Sequence, residues 1–219
     1  MARTTVASDD FNRANEDPLS GGGNWTQLHN FVFDGNIELV SNHIASQSTG
    51  GGGMFARWTG AGSFTADQYA KATIGALAFN GTAYQGGVIC RASADVSPNH
   101  DFYGIYVSDD SSSSRTTVLF KIVNGTTTIL HSDVVTWANG DTVELECEDT
   151  TIRGMKNGVA LGGSFTTTDA SIASGIPGVW ISGDSGVPTL DDWDSGNLTT
   201  AVADGAYTSP IFRVKLRQF

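Results

Sequence analysis

The feature that most constrains the fold is a series of turn signals at short spacing along the chain. Asn-Gly or Asp-Gly pairs occur at residues 34–35, 80–81, 124–125, 139–140 and 157–158, a glycine run at 50–53 and an Asp-Ser-Gly sequence at 184–186. Many of the segments between them alternate apolar and polar residues, and none sustains the period of an amphipathic helix. Because short strands joined by tight turns are typical of all-β domains, the pattern predicts such a domain with about a dozen strands.

Residues 142–148 show the alternation most clearly. Their apolar positions are Val143, Leu145 and Cys147, and their acidic positions are Glu144, Glu146 and Glu148. Successive side chains of a strand point to opposite faces, so the apolar face is predicted to lie in a core and the carboxylates in water. The segment is therefore predicted to be a strand in one layer of a two-sheet antiparallel sandwich.

The chain is predicted to divide into a main domain and a C-terminal arm. With 219 residues, 39% hydrophobic content and 27 glycines, it suits one sandwich domain, which we place at residues 1–198. Residues 199–219 begin as a polar linker and end in a basic, strand-like arm, with Phe212, Arg213, Lys215, Arg217 and Phe219 as the expected docking residues. Such a strand can add to the sheet edge of a partner subunit or complete this chain's own sandwich, and both alternatives remain open.

Charge and hydropathy exclude several classes of partner. The formal net charge of −11 disfavours nucleic acid, because phosphate contacts require clustered Lys and Arg. No segment has the roughly 20 apolar residues that cross a bilayer, and the N-terminus lacks the apolar run of a secretory signal. We therefore expect a chain made as a soluble cytoplasmic protein, with no membrane partner. Cys90 and Cys147 alternate with apolar residues, which favours two buried free thiols over a core disulfide.

Several segments resemble a known family. The matching segments are residues 8–14 (SDDFNRA), 24–26 (NWT), 103–107 (YGIYV), 140–145 (GDTVEL), 155–158 (MKNG), 175–179 (GIPGV) and 190–193 (LDDW). Together they resemble the concanavalin A-like or laminin G-like jelly-roll domains of phage virion proteins, over about residues 6–198. The resemblance implies a two-sheet antiparallel jelly-roll sandwich with its first and last strands side by side. Phages use this fold for head decoration and for tail modules.

The acidic strand also resembles, in part, the catalytic strand of laminarinase-type glycoside hydrolases. Those enzymes carry two glutamates flanking an aspartate at alternate positions of one strand. Here Glu146 occupies the middle position, and the usual Trp and Gly neighbours are missing. We therefore favour a solvated strand face and predict no catalytic residue, no cofactor and no enzymatic activity.

Two aromatic residues are the candidates for binding a carbohydrate. Trp180 points opposite to Val179 and Ile181, and Tyr106 points opposite to Ile105 and Val107, if each lies in a strand. Such rings can stack on sugars, or they can belong to a second apolar layer or an oligomer contact. The sequence favours the core for the other four tryptophans, Trp25, Trp58, Trp137 and Trp193.

Four aspartates are candidate ligands for a calcium ion. Asp9, Asp10, Asp191 and Asp192 lie near the first and last strands, which the resemblance places together, and calcium prefers six to eight oxygen ligands. The alternative is that they are turn and cap residues. We predict no metal site.

The function that these observations favour is structural. We expect a non-enzymatic virion protein, a capsid decoration or tail-associated module, whose partners are other virion proteins. A homo-oligomer is expected, with a trimer as one candidate. The alternative is a carbohydrate-binding module that attaches to a host-surface glycan, and a glycoside hydrolase is favoured least.

Overall fold

A computed structural model describes residues 2–28, 35–47, 53–76, 84–95, 99–111, 114–183 and 189–199. Its strands are β1 (Ala2–Asp9), β2 (Trp25–Leu28), β3 (Ile37–Val40), β4 (His43–Ser46), β5 (Gly53–Trp58), β6 (Gln68–Ala76), β7 (Tyr84–Ala92), β8 (Phe102–Ser111), β9 (Ser114–Val123), β10 (Thr126–Val134), β11 (Thr142–Glu148), β12 (Thr151–Lys156), β13 (Val159–Ala160), β14 (Thr166–Thr168), β15 (Ile176–Ser182) and β16 (Thr189–Thr199). Two short 3₁₀ turns, Gly21–Gly23 and Gly163–Phe165, complete the regular structure of these residues.

The strands form two antiparallel sheets. Sheet A has the order β13-β12-β11-β6-β16-β4-β3, with β1 also paired to β16 and β14 to β12. Sheet B has the order β10-β9-β8-β7-β15-β5-β2. Non-consecutive strands are neighbours in both sheets, so the chain crosses repeatedly between the layers. The predicted all-β jelly-roll sandwich is confirmed.

The first and last described strands close the domain. β1 pairs antiparallel with β16, so that Ala2 lies opposite Thr199 and Asp9 opposite Trp193. The register shifts between Thr5 and Ala7. This pairing is the one that the family resemblance implied.

The main core lies between the two sheets. Val143, Leu145 and Cys147 of β11 are fully buried there, together with Val88 and Cys90 of β7. The four tryptophans predicted for the core, Trp25, Trp58, Trp137 and Trp193, are all in this cluster. The ring of Trp25 lies 5.4 Å from that of Trp58 and 4.7 Å from that of Trp193, centroid to centroid. Alternation along the strands thus predicted the inter-sheet core correctly.

One segment, residues 37–46, reads as a single strand in the sequence but contains a turn. Residues 37–46 form the hairpin of β3 and β4, which reverses at Ser41 and Asn42 with φ angles of 51° and 65°. Asparagine tolerates this left-handed conformation better than most residues. No helix within the described ranges is long and apolar enough to cross a membrane.

Candidate functional site

The outer face of sheet B carries a second apolar cluster, separate from the inter-sheet core. Its buried members are Leu28, Phe55, Ile89, Ala92, Phe102, Val118, Phe120, Ile122 and Trp180, and Tyr106 packs against them. These residues occupy alternate positions of strands whose other positions point into the main core. Sheet B is therefore apolar on both faces, which is unusual for an antiparallel sheet.

Trp180 is at the centre of this cluster. It points opposite to Val179 and Ile181, as predicted. Its ring centroid lies 5.1 Å from that of Phe120 and about 6 Å from those of Phe55, Phe102 and Tyr106, and only 7% of the residue is exposed. Trp180 is thus mainly a packing residue, and only a small part of it can reach a ligand.

Two short-range features hold the indole of Trp180 in place. Its Nε1 donates a hydrogen bond of 3.0 Å to Oε1 of Gln85 on β7. A Cβ atom at Gly53 on β5 would lie 2.3 Å from Cη2 of the indole, so only glycine leaves room for the ring there. The missing side chain at Gly53 therefore determines how closely the indole approaches β5.

A groove opens beside this ring. It is lined by Gly53, Gln85, Tyr106, Phe120, Thr127, Ile129, Trp180 and Ser182, and its volume is about 260 Å³. Tyr106 is half-buried, and its ring lies nearly parallel to that of Trp180, at 16° and a centroid distance of 6.3 Å. Ile129 is 61% exposed and forms an apolar wall. The two aromatic residues singled out in the sequence thus line one groove.

The polar groups of this groove are neutral. Gln85 supplies an amide, and Thr127, Ser182 and Tyr106 supply hydroxyls; no Lys, Arg, Asp or Glu is among the described residues that line it. Apolar walls with a few hydrogen-bonding groups are typical of sites for small uncharged ligands. The volume of the groove is slightly below the roughly 300–1,000 Å³ of usual small-molecule sites.

The acidic strand differs from its prediction. Glu144 and Glu146 do point away from the core, but they are 1% and 4% exposed. Arg3 of β1 forms ion pairs with both, 2.7 Å from Oε1 of Glu146, and Arg153 of β12 lies 2.6 Å from Oε2 of Glu146. The prediction of a solvated strand face is therefore wrong at these two positions, because an arginine from the N-terminal strand covers them.

The environment of Glu144 is electrostatically unfavourable for a carboxylate. Burial raises the pKa of Glu144, the Arg3 guanidinium opposes the rise, and the Glu146 carboxylate adds to it. A raised carboxyl pKa occurs in glycosidase acids. Here, however, both carboxylates are ion-paired with Arg3 and almost completely buried. The geometry does not present these carboxylates to a ligand.

The four aspartates lie close together, and the carboxylates of three of them bind protein groups. The pairing of β1 with β16 places Asp9 and Asp10 near Asp191 and Asp192. Asp9 accepts hydrogen bonds from Arg13 at 2.5 Å, from the backbone N–H two residues on and from an indole N–H. Asp10 and Asp191 each accept a nearby backbone N–H. Across the described ranges, no group of three or more His, Cys, Asp or Glu side chains is arranged to hold a metal ion.

The residues of the predicted docking arm lie outside the described residues. They are Phe212, Arg213, Lys215, Arg217 and Phe219. Their docking partner therefore stays a prediction.

Sequence reasoning missed six residues of the groove: Gly53, Gln85, Phe120, Thr127, Ile129 and Ser182. A signal existed for Phe120, because Val118, Phe120 and Ile122 alternate on β9 as Phe102 and Tyr106 do on β8. Ser182 likewise follows Trp180 by two positions on β15. For the residues on β5, β7 and β10 no local signal existed, since strand order alone brings those strands to Trp180.

Comparison with solved structures shows which proteins share this fold. No protein-family model matches the sequence, and no characterised protein matches it by sequence. Among solved structures, the carbohydrate-binding module CBM66 from Bacillus subtilis aligns with a TM-score of 0.53 and 15% identity, over 80% of this chain and 92% of that one. The CBM2 module of the evolved Dit of Lactobacillus casei BL23 phage J-1 aligns with a TM-score of 0.55 and 14% identity, over 90% and 98%. The likeness is one of fold.

An enzyme shares this fold too. The catalytic domain of an endo-1,3-β-glucanase (laminarinase) from Thermotoga petrophila RKU-1 aligns with a TM-score of 0.56 and 7% identity, over 90% of this chain and 99% of that one. Because binding modules and hydrolases share the architecture, function has to be argued from the site.

Proposed function

We propose that this chain is a non-catalytic carbohydrate-binding domain, and that the groove beside Tyr106 and Trp180 holds a neutral sugar. One observation carries the proposal: both aromatic residues line one groove that combines apolar walls with an amide and hydroxyls. The similar solved structures that are named as carbohydrate-binding modules support it.

The chemistry of the groove matches that of a sugar ring. The C–H face of a pyranose or furanose packs on aromatic and aliphatic groups, while its hydroxyls need hydrogen-bonding partners. Tyr106 and Ile129 supply the more accessible apolar surface, and Gln85 and Thr127 lie beside them. Because no described lining residue is charged, we expect affinity for neutral glycans, with little dependence on salt.

Glycan-array screening followed by calorimetric titration tests this proposal. Strand β10 offers a matched pair of variants, since Ile129 is 61% and Val134 is 62% exposed but only Ile129 lines the groove. We expect Ile129→Ser to weaken sugar binding by about tenfold, because roughly 1.5 kcal/mol of apolar contact is lost. Val134→Ser should bind as the wild type does.

A second variant tests the aromatic wall. Tyr106→Ala should weaken binding by at least about tenfold, with Tm followed in parallel because Tyr106 also packs on Phe120. Binding that survives Ile129→Ser and Tyr106→Ala unchanged would place the sugar elsewhere. A full array without any bound glycan would overturn the proposed function itself.

A second candidate concerns where the domain acts. The likeness to a module of a phage Dit protein supports the proposal that this domain is carried on a virion, as a capsid decoration or tail module. Glycan binding and a place on a particle are compatible. Electron microscopy of particles labelled with an antibody to this chain tests whether the domain is carried on the virion. Particles without label would contradict that proposal.

A further inference from the structure

The two cysteines are neighbours across the core, although they belong to different sheets. Cys90 lies on β7 of sheet B and Cys147 on β11 of sheet A, and both are fully buried. Cα atoms of these two strands approach to within 8 Å. Sγ of Cys90 lies 3.6 Å from the backbone oxygen of Leu145, which is two residues before Cys147 on the same strand. The thiols of Cys90 and Cys147 are therefore close neighbours in the core.

We propose that Cys90 and Cys147 form a disulfide bond that links the two sheets when the chain folds under oxidising conditions. Both side chains point into the same part of the inter-sheet core, so side-chain rotation and a small approach of the strands would bring the thiols to bonding distance. The chain has two cysteines, so no other intramolecular pairing competes. The link would join the layers at the centre of the sandwich.

The reaction is a pair of thiol–disulfide exchanges with a small disulfide such as oxidised glutathione. The thiolate of one cysteine attacks the oxidant, forms a mixed disulfide and releases one reduced glutathione. The thiolate of the second cysteine then attacks the protein sulfur of that mixed disulfide and releases the second glutathione. The protein loses two protons and two electrons, and one molecule of oxidised glutathione is reduced to two thiols.

Burial determines when this reaction can occur. In the folded domain neither thiol contacts water, and burial raises the pKa of Cys90, with Cys147 adding to the rise. Thiolate is therefore scarce and the oxidant is excluded. The bond must form before or while the sheets close, so the redox conditions during folding determine which form persists.

Refolding in glutathione buffers tests the proposal. The reduced, denatured protein is diluted into folding buffers that differ in the ratio of reduced to oxidised glutathione. A parallel series with the same ratios stays in guanidinium, so that the chain remains unfolded. Free thiols are counted in both series after renewed denaturation. We expect the value of [GSH]²/[GSSG] at half-oxidation to be at least about 100-fold higher in folding buffer, because the closing sheets bring the thiols together while they are still accessible to glutathione. Equal midpoints, or a lower one in folding buffer, would overturn the proposal.

Further readouts separate the cross-link from other oxidation. The oxidised product should be monomeric, lighter by about 2 Da and higher in Tm by roughly 10 °C. Cys147→Ala should yield only glutathione adducts or intermolecular dimers. The already folded, reduced protein should keep both thiols when oxidant is added, and oxidation as fast as that of the denatured chain would refute the role of burial.

Discussion

At the scale of single residues, His100 is a buried imidazole in an aromatic setting. Its ring lies 4.5 Å from that of Phe55 and 5.9 Å from that of Phe102, centroid to centroid. Neither ring nitrogen has a hydrogen-bond partner among the described residues. Burial lowers the pKa of His100, and the Asp101 carboxylate opposes the shift. The folded state therefore favours the neutral ring.

This arrangement predicts a loss of stability on acidification. Because the folded pKa lies below the unfolded value of about 6.5, the unfolded state binds more protons below that pH, and the free energy of unfolding falls as pH decreases. Urea unfolding of the wild type and of His100→Leu between pH 7.5 and 5 measures this change in the free energy of unfolding. We expect the variant to lose less stability over this range than the wild type does. Equal losses in the wild type and His100→Leu would exclude His100 as the cause.

Trp180 gives a second prediction at this scale. Because four rings surround it, Trp180→Ala should lower the free energy of unfolding by about 3–5 kcal/mol through the cavity it leaves. Urea denaturation measures this value, and Trp180→Phe should cost less. A loss below about 1 kcal/mol would show that the ring is more accessible than its packing indicates. Sugar-binding assays on Trp180→Ala therefore need a stability control.

At the scale of elements, the N-terminal strand is held by side chains as well as by backbone pairing. Arg3 of β1 reaches Glu144 and Glu146 of β11, and its guanidinium lies 5.2 Å from the ring centroid of Tyr69 on β6. β1 itself pairs only with β16 in the described sheet. One arginine thus connects β1 to a strand that it does not pair with.

Removing this arginine leaves two buried carboxylates close together. We expect Arg3→Met to lower the free energy of unfolding at pH 7 by about 3 kcal/mol. The loss should shrink as pH falls, because Glu144 has a raised pKa in the folded state and its protonation relieves the repulsion. In the double variant Arg3→Met/Glu144→Gln, most of the loss at pH 7 should disappear. Denaturation at pH 7 and pH 5 distinguishes repulsion between the two carboxylates from a pH-independent loss of packing.

At the scale of the whole molecule, the described sandwich closes without the C-terminal segment. β16 is paired on both sides, with β6 on one and with β4 and β1 on the other, and ends at Thr199. We therefore expect deletion of residues 206–219 to leave a folded domain and to reduce its oligomeric mass in light scattering. Replacing Arg213, Lys215 and Arg217 by Gln keeps the length and tests the charge alone. An unfolded or insoluble deletion product would assign the segment to this chain's own core.

Absence of hydrolysis is also a prediction for the whole molecule. Glycosidases need two accessible carboxyl groups beside the scissile bond. Here Glu144 and Glu146 lie under Arg3 on sheet A, whereas the proposed sugar groove lies on the outer face of sheet B. We expect no release of reducing sugar from β-1,3-glucan above the buffer control. Hydrolysis that is lost in Glu144→Gln would show the domain to be an enzyme.

The amino-acid sequence by itself determined which way each strand residue points. Alternation predicted the inter-sheet core, the four core tryptophans and the outward direction of Trp180 and Tyr106, because side-chain direction in a strand depends only on neighbouring residues. The turn signals and the short alternating segments predicted an all-β domain, and the two-sheet architecture is what the family resemblance implied.

What lies over an outward-pointing residue was decided only by the tertiary structure. Glu144 and Glu146 point outward as predicted, yet Arg3 covers them from a strand about 140 positions earlier. Trp180 also points outward, yet rings from β5, β8 and β9 enclose it, and β7 and β10 supply part of its groove. Burial depends on which strands become neighbours, and strand order is set by pairing and packing between distant segments, which local alternation does not encode.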